Sequence, residues 1–155
     1  MKELRGTATA LPGASRSECI GFLAAVERYP SWYPEVVRSI DVLERDAGGN
    51  PSKVHAVLHL ARGPLVRDFE LVLAVDVAQP DAVALSRIAN DASDRERFEV
   101  RWRVLSDGDS STDLLLLELE ASLSVPRLLP LGGVGDAIAG GFVTAANRAL
   151  REGRR

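Results

Sequence analysis

The 155-residue sequence predicts an α+β domain in which a strongly curved, seven-stranded antiparallel sheet wraps around one long C-terminal helix, with two short helices after the first strand. Three observations predict it. Between Arg38 and Val125 apolar and polar residues alternate in segments cut by turn signals, as the strands of a meander with one dry and one wet face require. After Pro130 the spacing changes to the three-and-four pattern of a helix. The only large apolar surface on which that helix can pack is the dry face of the sheet.

Residues 3–11 are β-permissive and end at Pro12-Gly13, which makes them a first strand. A helix start follows at Ser15-Arg16-Ser17-Glu18, where the Ser15 hydroxyl can cap the Glu18 amide and Glu18 can reach back. Cys19, Ile20, Leu23 and Val26, with Phe22, form the apolar stripe of this helix. Tyr29-Pro30 is expected to end it, because a residue before proline avoids the α region. Residues 31–37 read as a second short helix or turn.

Turn signals at Gly48-Gly49-Asn50-Pro51, Gly63-Pro64, Pro80-Asp81, Asn90-Asp91 and Asp107-Gly108-Asp109 cut out six further strands. The cleanest alternation places Phe98, Val100, Trp102 and Val104 on a dry face opposite Arg97, Glu99, Arg101 and Arg103. Phe69, Leu71, Leu73 and Val75 repeat it, as do Val54, Ala56, Leu58 and Leu60 against Lys53, His55, Val57 and His59. Leu115 through Val125 does so less cleanly, because Leu114 and Leu116 are apolar too. Gly132-Gly133-Val134-Gly135 then opens a last helix with the stripe Val134, Ile138, Phe142, Ala145 and Ala149. Its glycines make it intrinsically weak, by roughly 1 kcal/mol each relative to alanine, so packing must hold it.

Composition excludes several function classes. With 19 Lys+Arg against 22 Asp+Glu the net charge is -3, which gives no electrostatic footprint for nucleic acid. No apolar run approaches the roughly 20 residues of a membrane span, and the N-terminus has no apolar signal core, so a cytoplasmic protein without stable membrane insertion is expected. Cys19 is the single cysteine and is expected to serve as a small buried hydrophobe.

The element order, with three segments, resembles the START-like helix-grip superfamily of polyketide cyclases, coenzyme-Q-binding proteins and lipid-transfer domains. Val26 to Val37, which contains Tyr29-Pro30-Ser31-Trp32-Tyr33-Pro34, is similar to its Y-P-x-W-x-P segment. Arg97 to Val104 is similar to its G-x-W-x-F strand, with Val100 where glycine is common, and the last helix to the gripped one. The resemblance implies one ligand-binding domain over residues 1–155, with an elongated apolar cavity between sheet and helix.

Phe69, Leu71, Leu85, Trp102, Leu117 and Leu119 from the sheet, with Ile138 and Phe142 from the helix, would line that cavity, and Trp32 and Tyr33 would stand at its entrance. Close helix-to-sheet packing without a cavity is the alternative the same small helix residues allow. Arg87 and Arg67 fall in the inward register of their strands, as anchors for a ligand headgroup or as internally paired ions. The expected function is binding or carriage of a hydrophobic or amphipathic small molecule, such as a lipid, isoprenoid, quinone or polyketide-like aromatic. A cyclase- or dehydratase-type enzyme working by confinement, with Tyr33, Ser86 or Arg87 polarising its substrate, and a protein-interaction module are the alternatives. Monomer and homodimer both stay open.

No cofactor or metal is expected. The third small position of a dinucleotide loop falls on Ile138, and Gly141 stands where a phosphate loop needs lysine. Asp107, Asp109 and Ser111 imitate a calcium loop, but Thr112 replaces its glycine. His55 and His59, the only histidines, would lie about 13 Å apart on a strand, too far to share one metal.

Overall fold

The alternation after Arg38 folds as six consecutive antiparallel strands in the computed structural model, which describes residues 1–77, 79–106, 113–126 and 128–153. They are β2 (Val37–Arg45), β3 (Pro51–Arg62), β4 (Leu65–Asp76), β5 (Ala82–Arg87), β6 (Arg97–Leu105) and β7 (Leu114–Leu123). β1 (Lys2–Ala10) joins the far side of β7, which gives one seven-stranded sheet in the order β1-β7-β6-β5-β4-β3-β2. Register shifts along β2 interrupt its ladder with β3 and bend that edge. The acidic turn at residues 107–112 lies outside the described residues.

Between β1 and β2 stand α1 (Arg16–Ala24), a single 3-10 turn (Val26–Arg28) and α2 (Tyr29–Trp32). Ser15 caps α1 as expected: the Glu18 amide donates to its Oγ at 3.2 Å, and the same hydroxyl donates to the Glu18 carboxylate at 3.1 Å. The first helix is shorter than the sequence predicts. It stops at Ala24, because Ala25 leaves the helical region at ψ 66°, and Pro30 opens α2 instead of ending α1. The break turns Val26 and Tyr29 into the core, where the Tyr29 hydroxyl donates to the Leu23 carbonyl at 2.6 Å and satisfies an orphan acceptor of the α1 C-terminus.

The last helix, α3 (Val134–Glu152), packs directly on β1 and β7. Two glycines make this approach possible: a Cβ on Gly135 would lie 2.0 Å from the Arg5 carbonyl oxygen, and one on Gly6 would lie 2.0 Å from the Gly135 carbonyl oxygen. Beside the crossing, the Thr7 amide donates to Asp136 Oδ1 at 3.0 Å, which satisfies a donor on the sheet edge. The buried stripe of α3 is broader than its spacing predicts. Ala139, Val143, Ala146 and Leu150 are buried with Val134, Ile138, Phe142 and Ala145, whereas Ala149 is half-buried. Cys19 is fully buried.

Candidate functional site

Inward residues of β3 to β7 form a continuous apolar wall, from Val54, Ala56, Leu58 and Leu60 through Phe69, Leu71, Leu73 and Leu85 to Phe98, Val100, Trp102, Leu117 and Leu119. Its width comes from the sheet, which brings Leu85 beside Val100, Val100 beside Leu119 and Trp102 beside Leu117 in register. The helix does not lie evenly along this wall. It meets β1 and β7 closely and also touches β3, with Gly141 beside Arg62, while α1 is the helix that approaches β5 and β6. Phe69, Leu71, Leu85 and Val100 of β4 to β6 and Ile138 and Phe142 of α3 belong to one buried apolar cluster, in the part of the sheet that α3 approaches less closely than β1 and β7. All of these are shielded from solvent, with exposures from 2% to 8%.

The rings of Phe22, Tyr29, Trp32, Tyr33 and Phe142 form one connected cluster around Trp32 and Tyr33. Trp32 stacks parallel to Tyr33 at 6.2 Å, and Tyr33 meets Phe142 edge-on at 4.9 Å. The Tyr33 hydroxyl accepts a hydrogen bond from Arg62 Nη2 at 3.4 Å. Gly141 makes room for both groups, since a Cβ there would lie 2.3 Å from the hydroxyl. Burial raises the Tyr33 pKa, and the positive charge of Arg62 works against that rise. Tyr29 is fully buried and its phenol is pushed far above the usual range by desolvation. The buried Trp102 indole N–H has no hydrogen-bond partner among the described residues. Trp102 itself is sealed at 0% exposure.

The two inward arginines are already engaged. Arg87 has a side chain only 8% exposed and donates to Asp94 Oδ2 at 2.6 Å and to the Glu96 carbonyl at 2.9 Å. Arg67 grips Glu96 with two parallel bonds of 2.9 and 3.0 Å, and its guanidinium lies 4.5 Å over the Phe69 ring. Glu96 also accepts from the Ser124 amide at 2.8 Å. The hydrogen bond from Arg87 holds the Asp94 carboxyl well below the usual carboxylate range, and Arg67 does the same to a smaller extent for Glu96. Both arginines were visible in the sequence as inward residues. Their partners were not, because Asp94 and Glu96 sit in a turn-rich connection without periodicity.

The outer face carries a different feature. An open depression of about 780 Å³ lies over the small residues Ala74, Ala84 and Ser86, with charged side chains of β1, β6 and β7 around it. Arg5 pairs there with Glu120 at 3.3 Å and Arg103 with Glu118 at 3.6 Å, so it is a wet face with ion pairs across neighbouring strands. His55 and His59 share this outer side, each against its own carboxylate on β4: His55 Nε2 lies 2.8 Å from Glu70, and His59 Nδ1 faces Asp68. Among the described residues no cluster of metal-ligating side chains is present, and no helix is long and apolar enough to cross a membrane.

No protein-family model matches the chain, and no curated protein matches it. Solved structures do. A START superfamily protein from Mycobacterium smegmatis is 20% identical with a TM-score of 0.70, over 97% of this chain and 96% of that one. The Zhui aromatase/cyclase from a Streptomyces species is 14% identical with a TM-score of 0.59, over 99% of this chain and 96% of that one. The major latex-like protein 151 of Panax ginseng is 11% identical with a TM-score of 0.59, over 97% of each chain. The fold is the START-like helix-grip fold.

Proposed function

We propose that residues 1–155 act as one unit that binds an apolar or amphipathic small molecule in a wedge-shaped space between α3 and β4 to β6. One observation carries this reading: the gripped helix touches β1 backbone to backbone at Gly6 and Gly135, and it approaches β1 and β7 more closely than β4 to β6, whose inward side chains are apolar and shielded from solvent. A wall of that kind recognises a ligand by area and shape, with affinity from desolvated apolar surface. Trp32, Tyr33 and Phe142 bound the space at one end, Phe69, Leu71, Leu85 and Ile138 along its length, and Trp102, Leu117 and Leu119 form its floor. Arg87 stands at the rim, where it stabilises a loop unless a ligand anion takes the place of Asp94.

The test is native mass spectrometry of the purified protein for a co-purifying lipid or aromatic, joined to a titration with a neutral apolar dye. Ala145→Leu, on the buried stripe of α3, should leave stability unchanged or raise it while weakening dye binding, because it fills space. A solid interior gives the reverse: overpacking costs about 1–3 kcal/mol and no saturable binding is seen. That outcome removes the carrier reading.

A second reading is a cyclase- or dehydratase-type enzyme that confines a reactive chain in the same wedge. It draws on the likeness to an aromatase/cyclase and on the Tyr33 hydroxyl held by Arg62 beside Phe142. Turnover of a β-keto chain that is lost in Tyr33→Phe while dye affinity stays constant would support it. Dye binding without turnover leaves the carrier.

A further inference from the structure

The wedge is shut. Its lining residues are shielded from solvent, so a molecule of the proposed kind reaches them only when a wall opens. Most walls resist opening. β1 with β7, β6 with β7 and β3 with β4 are long unbroken ladders, and separating them would strip backbone donors and acceptors of their partners. The start of α3 is locked against β1 by backbone contact.

One wall is built differently. β5 pairs with β4 only from Leu73 opposite Arg87 to Asp76 opposite Ala84, and a last bond from the Ile88 amide to the Val72 carbonyl ends that ladder. Residues 65–71 of β4 thus face no strand on that side. The irregular segment 88–96 fills the gap, and side chains hold it there: Arg67 on Glu96, Arg87 on Asp94, and the Glu96 carboxylate on the Ser124 amide. Within the segment, the Asp94 amide donates to the Asp91 carbonyl and the Ser93 amide to the Asp91 carboxylate, so it keeps its own shape. The rings of Phe69 on β4 and Phe98 on β6 lie tilted to one another at 6.4 Å, and Arg67, which grips Glu96 of the segment, covers the Phe69 ring.

The geometry points to a lateral portal: residues 88–96 form a flap between β4 and β6, latched by the Arg67–Glu96 and Arg87–Asp94 pairs, and an apolar ligand passes beneath it between Phe69 and Phe98. This inference rests on the carrier reading. The latch suits the task because its four charges balance and all become hydrated when it opens, while every ladder of the sheet survives. Arg67 is the pivot, since its guanidinium covers the Phe69 ring and grips Glu96 at once.

Stopped-flow uptake and release of N-phenyl-1-naphthylamine, a neutral apolar fluorophore, tests it on the whole protein. Glu96→Gln keeps an acceptor for the Ser124 amide but removes the charge that Arg67 grips, so entry and exit rates should both rise on the order of tenfold with Kd held within about twofold. The converse variant is Arg67→Cys with Glu96→Cys, bridged by a short reducible bis-thiol crosslinker. Cys19 is spared because it is fully buried. The bridged form should exchange dye at least about tenfold more slowly than the same protein after reduction, a comparison that needs no reference to wild-type folding. Rates unchanged in both variants, with dye still bound, overturn the portal alone. Absence of saturable dye uptake by the wild type overturns the carrier reading and the portal with it.

Discussion

Alanine substitution at two glycines of α3 should move stability in opposite directions, and the difference measures how hard the helix presses on the sheet. At Gly140 no atom lies within 4 Å of the position a Cβ would take. Gly140→Ala should therefore realise the ordinary helix-propensity gain, about 0.5–1 kcal/mol. At Gly135 the new Cβ would lie 2.0 Å from the Arg5 carbonyl oxygen and 2.4 Å from its carbon. Ordinary non-bonded contact needs about 3.5 Å, so helix and strand must part by more than about 1 Å. Neither side can yield by rotating a side chain, because both are backbone. The shift also strains the Thr7–Asp136 bond. Gly135→Ala should thus cost at least about 3 kcal/mol, the upper end of overpacking. At roughly 2–4 °C per kcal/mol for a domain of this size, Tm should fall by about 6–12 °C in Gly135→Ala and rise by a few degrees in Gly140→Ala. Thermal and urea melts of both variants check this, and Gly6→Ala approaches the same contact from the strand. Equal stabilisation by Gly135→Ala and Gly140→Ala would refute the backbone crossing, and with it the support that crossing gives to the proposed wedge.

Two further predictions concern charges. Arg67 holds the Glu96 carboxyl below its ordinary value of 4.5, so the stability from this pair is complete above that pH and is lost as pH falls through the lower folded-state pKa. Urea midpoints measured from about pH 7 down to about pH 3 should decline below pH 4.5, and the decline should be shallower in Glu96→Gln; an identical slope would mean that the pair contributes nothing. His55 and His59 face solvent with separate carboxylate partners, so the double replacement by glutamine should change stability by less than about 1 kcal/mol at pH 7. Metal bound stoichiometrically by the wild type and lost in that double variant would contradict it.

Sequence alone determined those elements whose signals are local. Alternation over Arg97–Leu105 sends Phe98, Val100, Trp102 and Val104 inward whatever the neighbouring strands do, because successive side chains of a strand must point to opposite faces. The Ser15 cap, the glycine-proline turns between strands and the start of α3 are likewise set by residues a few positions apart. Where the local signal was weaker than a long-range demand, the sequence misled: α1 stops at Ala24 because Tyr29 is drawn inward to bond Leu23, which no spacing within the helix reports. The width of the α3 stripe is a similar case. Its seat against two strands buries Ala139, Val143, Ala146 and Leu150 over a broader arc than one contact face would.

The candidate site belongs to the second kind. Phe69, Leu85, Trp102 and Phe142 could be read as inward residues, but their distance from one another depends on the curvature of the sheet and the tilt of the helix. Gly6 and Gly135 let helix and strand touch through a contact across 129 positions, and each glycine by itself looks like a flexible residue in a strand or at a helix entry. Arg67 and Glu96 are separated by 29 positions, and the 88–96 connection brings them together only after β4 and β6 have taken their places in the sheet. Hydrophobic periodicity selects the face a residue occupies; which residues then meet across that face is decided by register and backbone approach, and those exist only in the folded chain.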